Sequence, residues 1–452
     1  MALPTLLFFP NYLGGGFGHT GRCLALAETW RAHGGRAVFA LGGPHIQRVR
    51  DAGFEVHEMQ TPRYTARHNT GLAYVHVSDM AYQIARDGFD HPRVVRQAMQ
   101  EAVSIIQRVS PDVLVGDGYA LTRLIARQND LPVVQIVKSV AHPRPSPLIW
   151  WETTPREAAP PNIAPVFGPI LKELGLPPLS RSTDLLDGDL LLLPSILPLD
   201  PMRPLPPKTY YVGPMVRRAG KTPPPQWLLD LEAMQSPLVY VTVGGSSGIA
   251  GDETFFQLVN EALGGENYQV VVSTGGRKPP QDAPVSPNIH LVPWVSNYHI
   301  LPRSQGVVFH GGYTRMEVLL NGLPSVVIPF HTEQEYYARL MQRAGASIML
   351  PYSTAPYQQL NVRWRGGLPW KQRTYSLHVR TQVTLQPETL REAVDALLNR
   401  PALRASAAAL QQSLQAMDGA EQARGLIARL FNKSLVPSPP TVPAVASSPL
   451  PG

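Results

Sequence analysis

Short runs of consecutive apolar residues alternate along this chain with segments whose apolar positions recur every three to four residues. Residues 5–9 (TLLFF) predict a buried strand, and the glycine-rich turn from Gly14 to His19 follows it. Cys23, Leu24, Leu26, Ala27 and Trp30 then fall at helical spacing, Gly34-Gly35 stops that helix, and 37–41 is the next strand. This β–loop–α–β order belongs to a parallel sheet. A second unit begins at Pro111: strand 112–115 runs into Gly116-Asp117-Gly118, with helix 121–128 and strand 133–137 after it. Residues 141–185 are Pro-rich and irregular, with a short helix around 170–174, and 190–193 is another apolar strand.

Residues 194–214 read as a connection to a second domain. That domain opens with helix 226–234, strand 238–243 and the turn Gly244-Gly245-Ser246. Helix 254–263, strands 269–273, 289–292 and 306–309, helix 314–321, strand 325–328 and helices 334–345 and 387–398 follow. The expected fold class is α/β, with two Rossmann-like doubly wound domains facing across a cleft. Their expected spans are 1–205 and 206–400, with closing helices at 401–431 and a disordered Pro-rich tail at 432–452. Such pairs bind ligands at the carboxyl ends of their strands.

Composition changes this picture in four places. The 452 residues suit two or three domains. There are 47 prolines, about twice the usual ~5% share. They crowd into 141–225 and 437–451, which marks a wall, a linker and a tail rather than a wholly disordered chain. A single cysteine, Cys23, excludes an intrachain disulfide and a multi-cysteine metal site. The apolar start reads as a strand rather than a signal peptide, and no run approaches the ~18 apolar residues of a membrane span. The expected location is therefore the cytoplasm. A net charge of +7 favours an anionic partner: a nucleotide, nucleic acid or a membrane face.

Candidate chemistry gathers at strand ends. His19 ends the first glycine-rich turn, where a histidine can act as a general base near neutral pH; a helix cap is the plainer reading. Asp117 ends a strand of the same half and would orient His19 if it reached it, although a turn aspartate between glycines is common. Residues 310–317 (HGGYTRME) follow a strand and open a helix. Backbone N–H groups of Gly311-Gly312, with His310, Thr314 and Arg315, offer donors to a diphosphate, and Glu317 an acceptor for ribose hydroxyls. Glu333-Gln334 begin the next helix and suit sugar hydroxyls, or simply cap it. Trp294 follows a strand and suits a nucleotide base or the core. Asp187-Gly188-Asp189 reads as a turn rather than a metal site. Residues 352–386 carry five Lys or Arg, five Tyr or Trp and no acid. They read as a hairpin turning at Gly366-Gly367, either partly packed or held against an anionic surface.

These segments resemble the two-domain glycosyltransferases of the GT-B fold, in particular the nucleotide-sugar-dependent family of macrolide and plant natural-product glucosyltransferases. GHTGRCLALAETWRAHGG is similar to that family's Gly-His loop, PDVLVGDGYAL to its aspartate-bearing strand, and LLLPSILPLDPMRPLPPKTYYVGP to its linker. VYVTVGGSS, PWVSN, FHGGYTRMEVLLNGLPSVVIPF and TEQEYYA resemble its donor side. The resemblance implies that His19 deprotonates the acceptor hydroxyl with Asp117 as its partner. It implies a donor site drawn from Gly18, Gly244, Gly245, Ser246, Trp294, Asn297, His310, Gly311, Gly312, Tyr313, Thr314, Arg315, Glu317, Glu333 and Gln334. In that site Trp294 faces the base, Glu317 the ribose, and Glu333-Gln334 the sugar.

The activity implied is inverting, metal-independent hexosyl transfer. It needs no cofactor beyond a UDP-sugar or dTDP-sugar as co-substrate. The partners implied are the nucleotide-sugar donor and a small-molecule or lipid acceptor. Peripheral contact with the inner membrane face through 352–386 is a further expectation, and no nucleic acid is expected. GHTGRCLALAE and GGYTRMEVLLNGLP also resemble nucleotide-sugar hydrolases of the pseudaminic acid pathway. Hydrolysis, or non-catalytic binding of nucleotide sugar or nucleic acid, therefore stands as the alternative.

Overall fold

The computed structural model describes residues 3–14, 16–62, 72–148, 160–217, 222–244, 253–275, 285–363 and 374–431. In the first half, strands β1 (Leu6–Pro10), β2 (Ala37–Leu41), β3 (Glu55–Glu58), β5 (Val113–Asp117), β6 (Val133–Ile136), β7 (Leu190–Leu193) and β8 (Thr209–Tyr211) form one parallel sheet. Its order is β3-β2-β1-β5-β6-β7-β8. The central strands are buried along their whole length, which is why they read as unbroken apolar runs. Helices α1 (Phe17–Ala32), α2 (Ile46–Asp51), α3 (Met80–Arg86), α4 (Pro92–Val109), α5 (Thr122–Gln128) and α6 (Ala164–Glu173) accompany them. The sheet continues to Tyr211, so the chain leaves this half later than residue 205.

The second half is a parallel sheet of β9 (Leu238–Thr242), β10 (Gln269–Ser273), β11 (Ile289–Val292), β12 (Gly306–Phe309), β13 (Ser325–Val327) and β14 (Ser347–Met349). Its order is β11-β10-β9-β12-β13-β14. Around it lie α7 (Gln226–Ala233), α8 (Glu253–Leu263), α9 (Asn297–Ile300), α10 (Thr314–Leu320), α11 (Thr332–Arg343) and α12 (Pro387–Asn399). Of the closing helices, α13 (Pro401–Gln415) packs on α10. The last, α14 (Gly419–Phe431), crosses back to α1 and puts Ala423, Leu426 and Ile427 into the first half's core.

Residues 55–100 carry β3, α3, the start of α4 and strand β4 (Tyr74–His76). In α4 the buried positions Val95, Met99, Ala102, Ile105, Ile106 and Val109 follow the helical period. Strand β4 belongs to neither large sheet. It pairs antiparallel with β16 (Thr374–Arg380), which pairs with β15 (Gln358–Arg363), so a small sheet joins the halves. Tyr375, Leu377 and Val379 of β16 pack there on Leu72, Val75, Tyr82 and Ala85. The Gly366-Gly367 turn and Trp364, Trp370, Lys371 and Arg373 lie outside the described residues, as do Trp150 and Trp151.

Candidate active site

Each large sheet reverses its winding once, and the candidate residues lie at the two reversals. In the first sheet the reversal lies between β1 and β5, where Pro10 is in register with Asp117. In the second it lies between β9 and β12, where Thr242 is in register with Phe309. A doubly wound sheet splays its loops apart at such a point and opens a crevice there.

At the first reversal α1 begins at Phe17, with Gly16 as its N-cap, so His19 sits in the first helical turn rather than in a loop. Gly18 lies in the same turn, close to Tyr313 of the other half. His19 Nδ1 is 2.6 Å from Asp117 Oδ1. Gly118 has φ +69°, and a Cβ there would stand 2.6 Å from His19 Cε1, so this turn takes glycine for both its backbone and its space.

Arg22, one turn after His19, binds the same carboxylate. Its Nε donates to Asp117 Oδ2 at 2.7 Å and its Nη2 to Oδ1 at 2.6 Å. Asp117 is 1% exposed and Arg22 3%. Burial alone would raise the Asp117 pKa, but Arg22 and His19 outweigh it and hold it low. Burial pulls His19 downward; Asp117 opposes this, while Arg22 and Lys138 add to it. Sequence reasoning missed Arg22. The available signal was a second polar side chain three residues on, on the same helix face as His19.

His19, Arg22 and Asp117 open into a cavity that also touches Met80, Gln83, Lys138 and Glu333. Glu333 comes from the other half and forms an ion pair with Lys138, which follows β6. Burial would raise Glu333, yet Lys138 overrides it and brings its pKa down to about 2. Lys138 too was not singled out in sequence. Gln334 is buried, and its side-chain oxygen accepts from the Phe330 N–H at 2.8 Å.

At the second reversal His310 is 7% exposed and wedged between glycines. A Cβ on Gly244 (φ +70°) would lie 2.6 Å from its Cε1, and one on Gly312 2.4 Å from its Nε2. Burial brings His310 down to about 4, so the ring is neutral at physiological pH. Gly311 has φ +86° and lies against the Gln334 backbone. Thr314 opens α10. The Tyr313 hydroxyl donates to Pro194 O at 3.1 Å and accepts from Met215 N at 2.9 Å, clamping both ends of the linker. Arg315 is turned inward, 1% exposed, with its guanidinium 3.6 Å from the Tyr337 ring centroid.

Asn297 Nδ2 donates to Glu317 Oε2 at 2.7 Å, and burial lifts Glu317 to about 6 against that bond. Trp294 is 59% exposed, with Arg48 of the first half 5.6 Å from its ring. Gly245 and Ser246 lie outside the described residues. Asp187 pairs with Arg123 at 3.4 Å, and Asp189 accepts from Val133 N at 2.9 Å. Tyr74 and His76 are buried, and the Tyr74 hydroxyl donates to Glu335 at 2.5 Å.

Comparison with known proteins adds four findings. Residues 257–365 match the family described as erythromycin biosynthesis protein CIII-like, C-terminal domain. The chain is 26% identical over 282 residues to a PGL/p-HBAD biosynthesis glycosyltransferase of Mycobacterium tuberculosis, covering 58% of this chain and 64% of that relative's length. The calicheamicin glycosyltransferase CalG4 superposes with a TM-score of 0.64 at 18% identity, over 97% of this chain and all of that one. The spinosyn rhamnosyltransferase SpnG, solved with thymidine diphosphate, does so with a TM-score of 0.60 at 18% identity, over 93% and 99%. The fold is thus GT-B, as in these natural-product glycosyltransferases, and the match to the erythromycin CIII-like C-terminal domain lies within the second half.

Proposed function

We propose that this chain, a GT-B-fold protein similar to natural-product glycosyltransferases, transfers a hexose from a UDP-sugar or dTDP-sugar to a hydroxyl of a small-molecule or lipid acceptor. The observation that carries the reading is the half-buried His19 held against the buried Asp117 at one sheet's reversal, opening into a cavity that holds Glu333 of the other half.

His19 Nδ1 lies against a carboxylate oxygen and therefore carries the proton, which leaves the Nε2 lone pair to accept one. An acceptor hydroxyl beside Nε2 loses its proton as its oxygen attacks the anomeric carbon. Asp117 holds the ring in place and stabilises the imidazolium that forms. On the donor side, the backbone N–H groups of Gly311-Gly312 receive the diphosphate, Trp294 the base, and Glu317 with Asn297 the ribose. Glu333 exchanges its Lys138 contact for hydroxyls of the sugar. Displacement from the face opposite the nucleotide inverts the anomeric carbon. Backbone dipoles stabilise the leaving diphosphate, so the reaction proceeds without a metal.

The test is to incubate the purified chain with a panel of UDP-sugars and dTDP-sugars, with and without hydroxylated acceptors, in the presence of EDTA. The expected result is acceptor-dependent release of nucleoside diphosphate and a product of inverted anomeric configuration. Stoichiometric sugar release without acceptor would replace transfer by hydrolysis, and loss of turnover in EDTA would reject metal independence.

A further inference from the structure

Asp117 is shared. Its Oδ1 receives both His19 Nδ1 and Arg22 Nη2, at 2.6 Å each, which brings those two nitrogens to 3.0 Å from one another. Its Oδ2 is taken by Arg22 Nε at 2.7 Å. The bidentate fork adds both strength and directional specificity to the pairing of a carboxylate with a guanidinium. All of this is buried except the edge of His19 that faces the cavity.

An unshared His–Asp pair favours the imidazolium, because the carboxylate is the nearest charge. Here a fixed cation stands equally near, so the pair's negative charge is already balanced. The other groups facing His19 do not restore it. Lys138, on the loop after β6, and Glu333, on α11, neutralise each other across the cavity. Gln83 of α3 is uncharged, and Tyr313, before α10, presents its ring to the guanidinium with the Arg22 Cζ 4.5 Å from its centroid.

We infer that Arg22 is a positioning residue for His19. By occupying Asp117 from one side it fixes the carboxylate, and by its charge it keeps the imidazole neutral, with the Nε2 lone pair available, to lower pH than a His–Asp pair alone would allow. Through its stacking on Tyr313 it is also where the donor half touches the catalytic group. This deepens the transferase reading and rests on it for the role of Nε2, but the charge balance at His19 does not depend on any substrate.

The experiment titrates the histidine rings of the intact chain by NMR, using selective isotope labelling. His19→Gln assigns the His19 signal, and wild type is compared with Arg22→Met and Arg22→Lys. The His19 midpoint is expected to rise by about one pH unit in Arg22→Met and by less in Arg22→Lys, which keeps a charge but loses the fork. The acidic limb of kcat/KM for transfer moves by the same amount. A His19 midpoint that stays put in folded Arg22→Met overturns the inference, even if that variant is less stable or less active, because a merely structural arginine gives that pattern. Should Arg22→Met fail to fold, an unchanged midpoint in Arg22→Lys overturns it equally. A shifted midpoint in a protein that uses no nucleotide sugar leaves this inference standing and removes the transferase reading.

Discussion

The two sheet reversals face one cleft but use their polar side chains differently. On the proposed acceptor side His19, Arg22 and Asp117 hydrogen-bond to one another, and an edge of the His19 ring faces the cavity. On the proposed donor side the side chains hold the framework: Tyr313 the linker, Gln334 the Phe330 amide, Asn297 Glu317, and Glu333 Lys138 of the opposite half. A group that must take a proton needs a fixed ring with one nitrogen free. A site for a polyanion needs backbone N–H groups held still, and side chains directed inward do that. The first side is therefore a side-chain site, and the second is largely a backbone site with side-chain supports.

That contrast can be broken most directly at His19. His19→Ala should lower transfer by about 10²–10⁴-fold while leaving nucleotide affinity within a few fold, read by steady-state rates and calorimetry. Activity close to wild type would remove the base from the acceptor side. Next in size is Asp117→Ala, which strands the buried Arg22 guanidinium and should cost about 3–5 kcal/mol in denaturant unfolding. Glu317→Gln, its donor-side counterpart, should cost under ~1 kcal/mol, since the amide oxygen still accepts from Asn297. Equal losses for the two would erase the distinction. Tyr313→Phe leaves the Met215 N–H and the Pro194 carbonyl without their partner and should cost about 1–3 kcal/mol. If its stability matched wild type, the tyrosine would not be a linker clamp.

The smallest and most graded effect is on pH. His310 and His331 keep folded pKa values of about 4 because their surroundings desolvate the charged ring, whereas an unfolded histidine takes up its proton near 6.5. Between those values the unfolded chain binds more protons, so stability falls as pH drops from about 6.5 to 4. Glu333 acts lower down. Its folded pKa of about 2 lies below the ordinary 4.5, so its contribution is full above 4.5 and fades as pH falls toward 2. A melting temperature flat from pH 6.5 to 4 would contradict the burial argument, and His331→Gln should flatten part of the slope.

Much of this architecture is legible in the chain. The buried strands are short apolar runs between glycine and proline punctuation; Asp117 and His310 stand at the ends of such runs, and His19 at the end of the glycine-rich turn that follows another. Other parts leave little local trace. The α4 pattern is present but lies in a stretch that otherwise looks like loop. The β4–β16 pairing joins residues about three hundred positions apart, and no local period encodes a partner at that distance. Arg22 and Lys138 look like ordinary surface cations until their carboxylates are known.

The sequence by itself determined the alternation that makes two parallel sheets, because burial on both faces demands continuous apolar strands. It also placed glycine-flanked polar residues at the strand ends, where a doubly wound fold opens its crevices. Only the tertiary structure decided which polar atoms stay free. A hydrogen bond depends on partners brought within about 3 Å, and for Asp117, Glu333 and Tyr313 those partners arrive from helix α1, the opposite half and the linker.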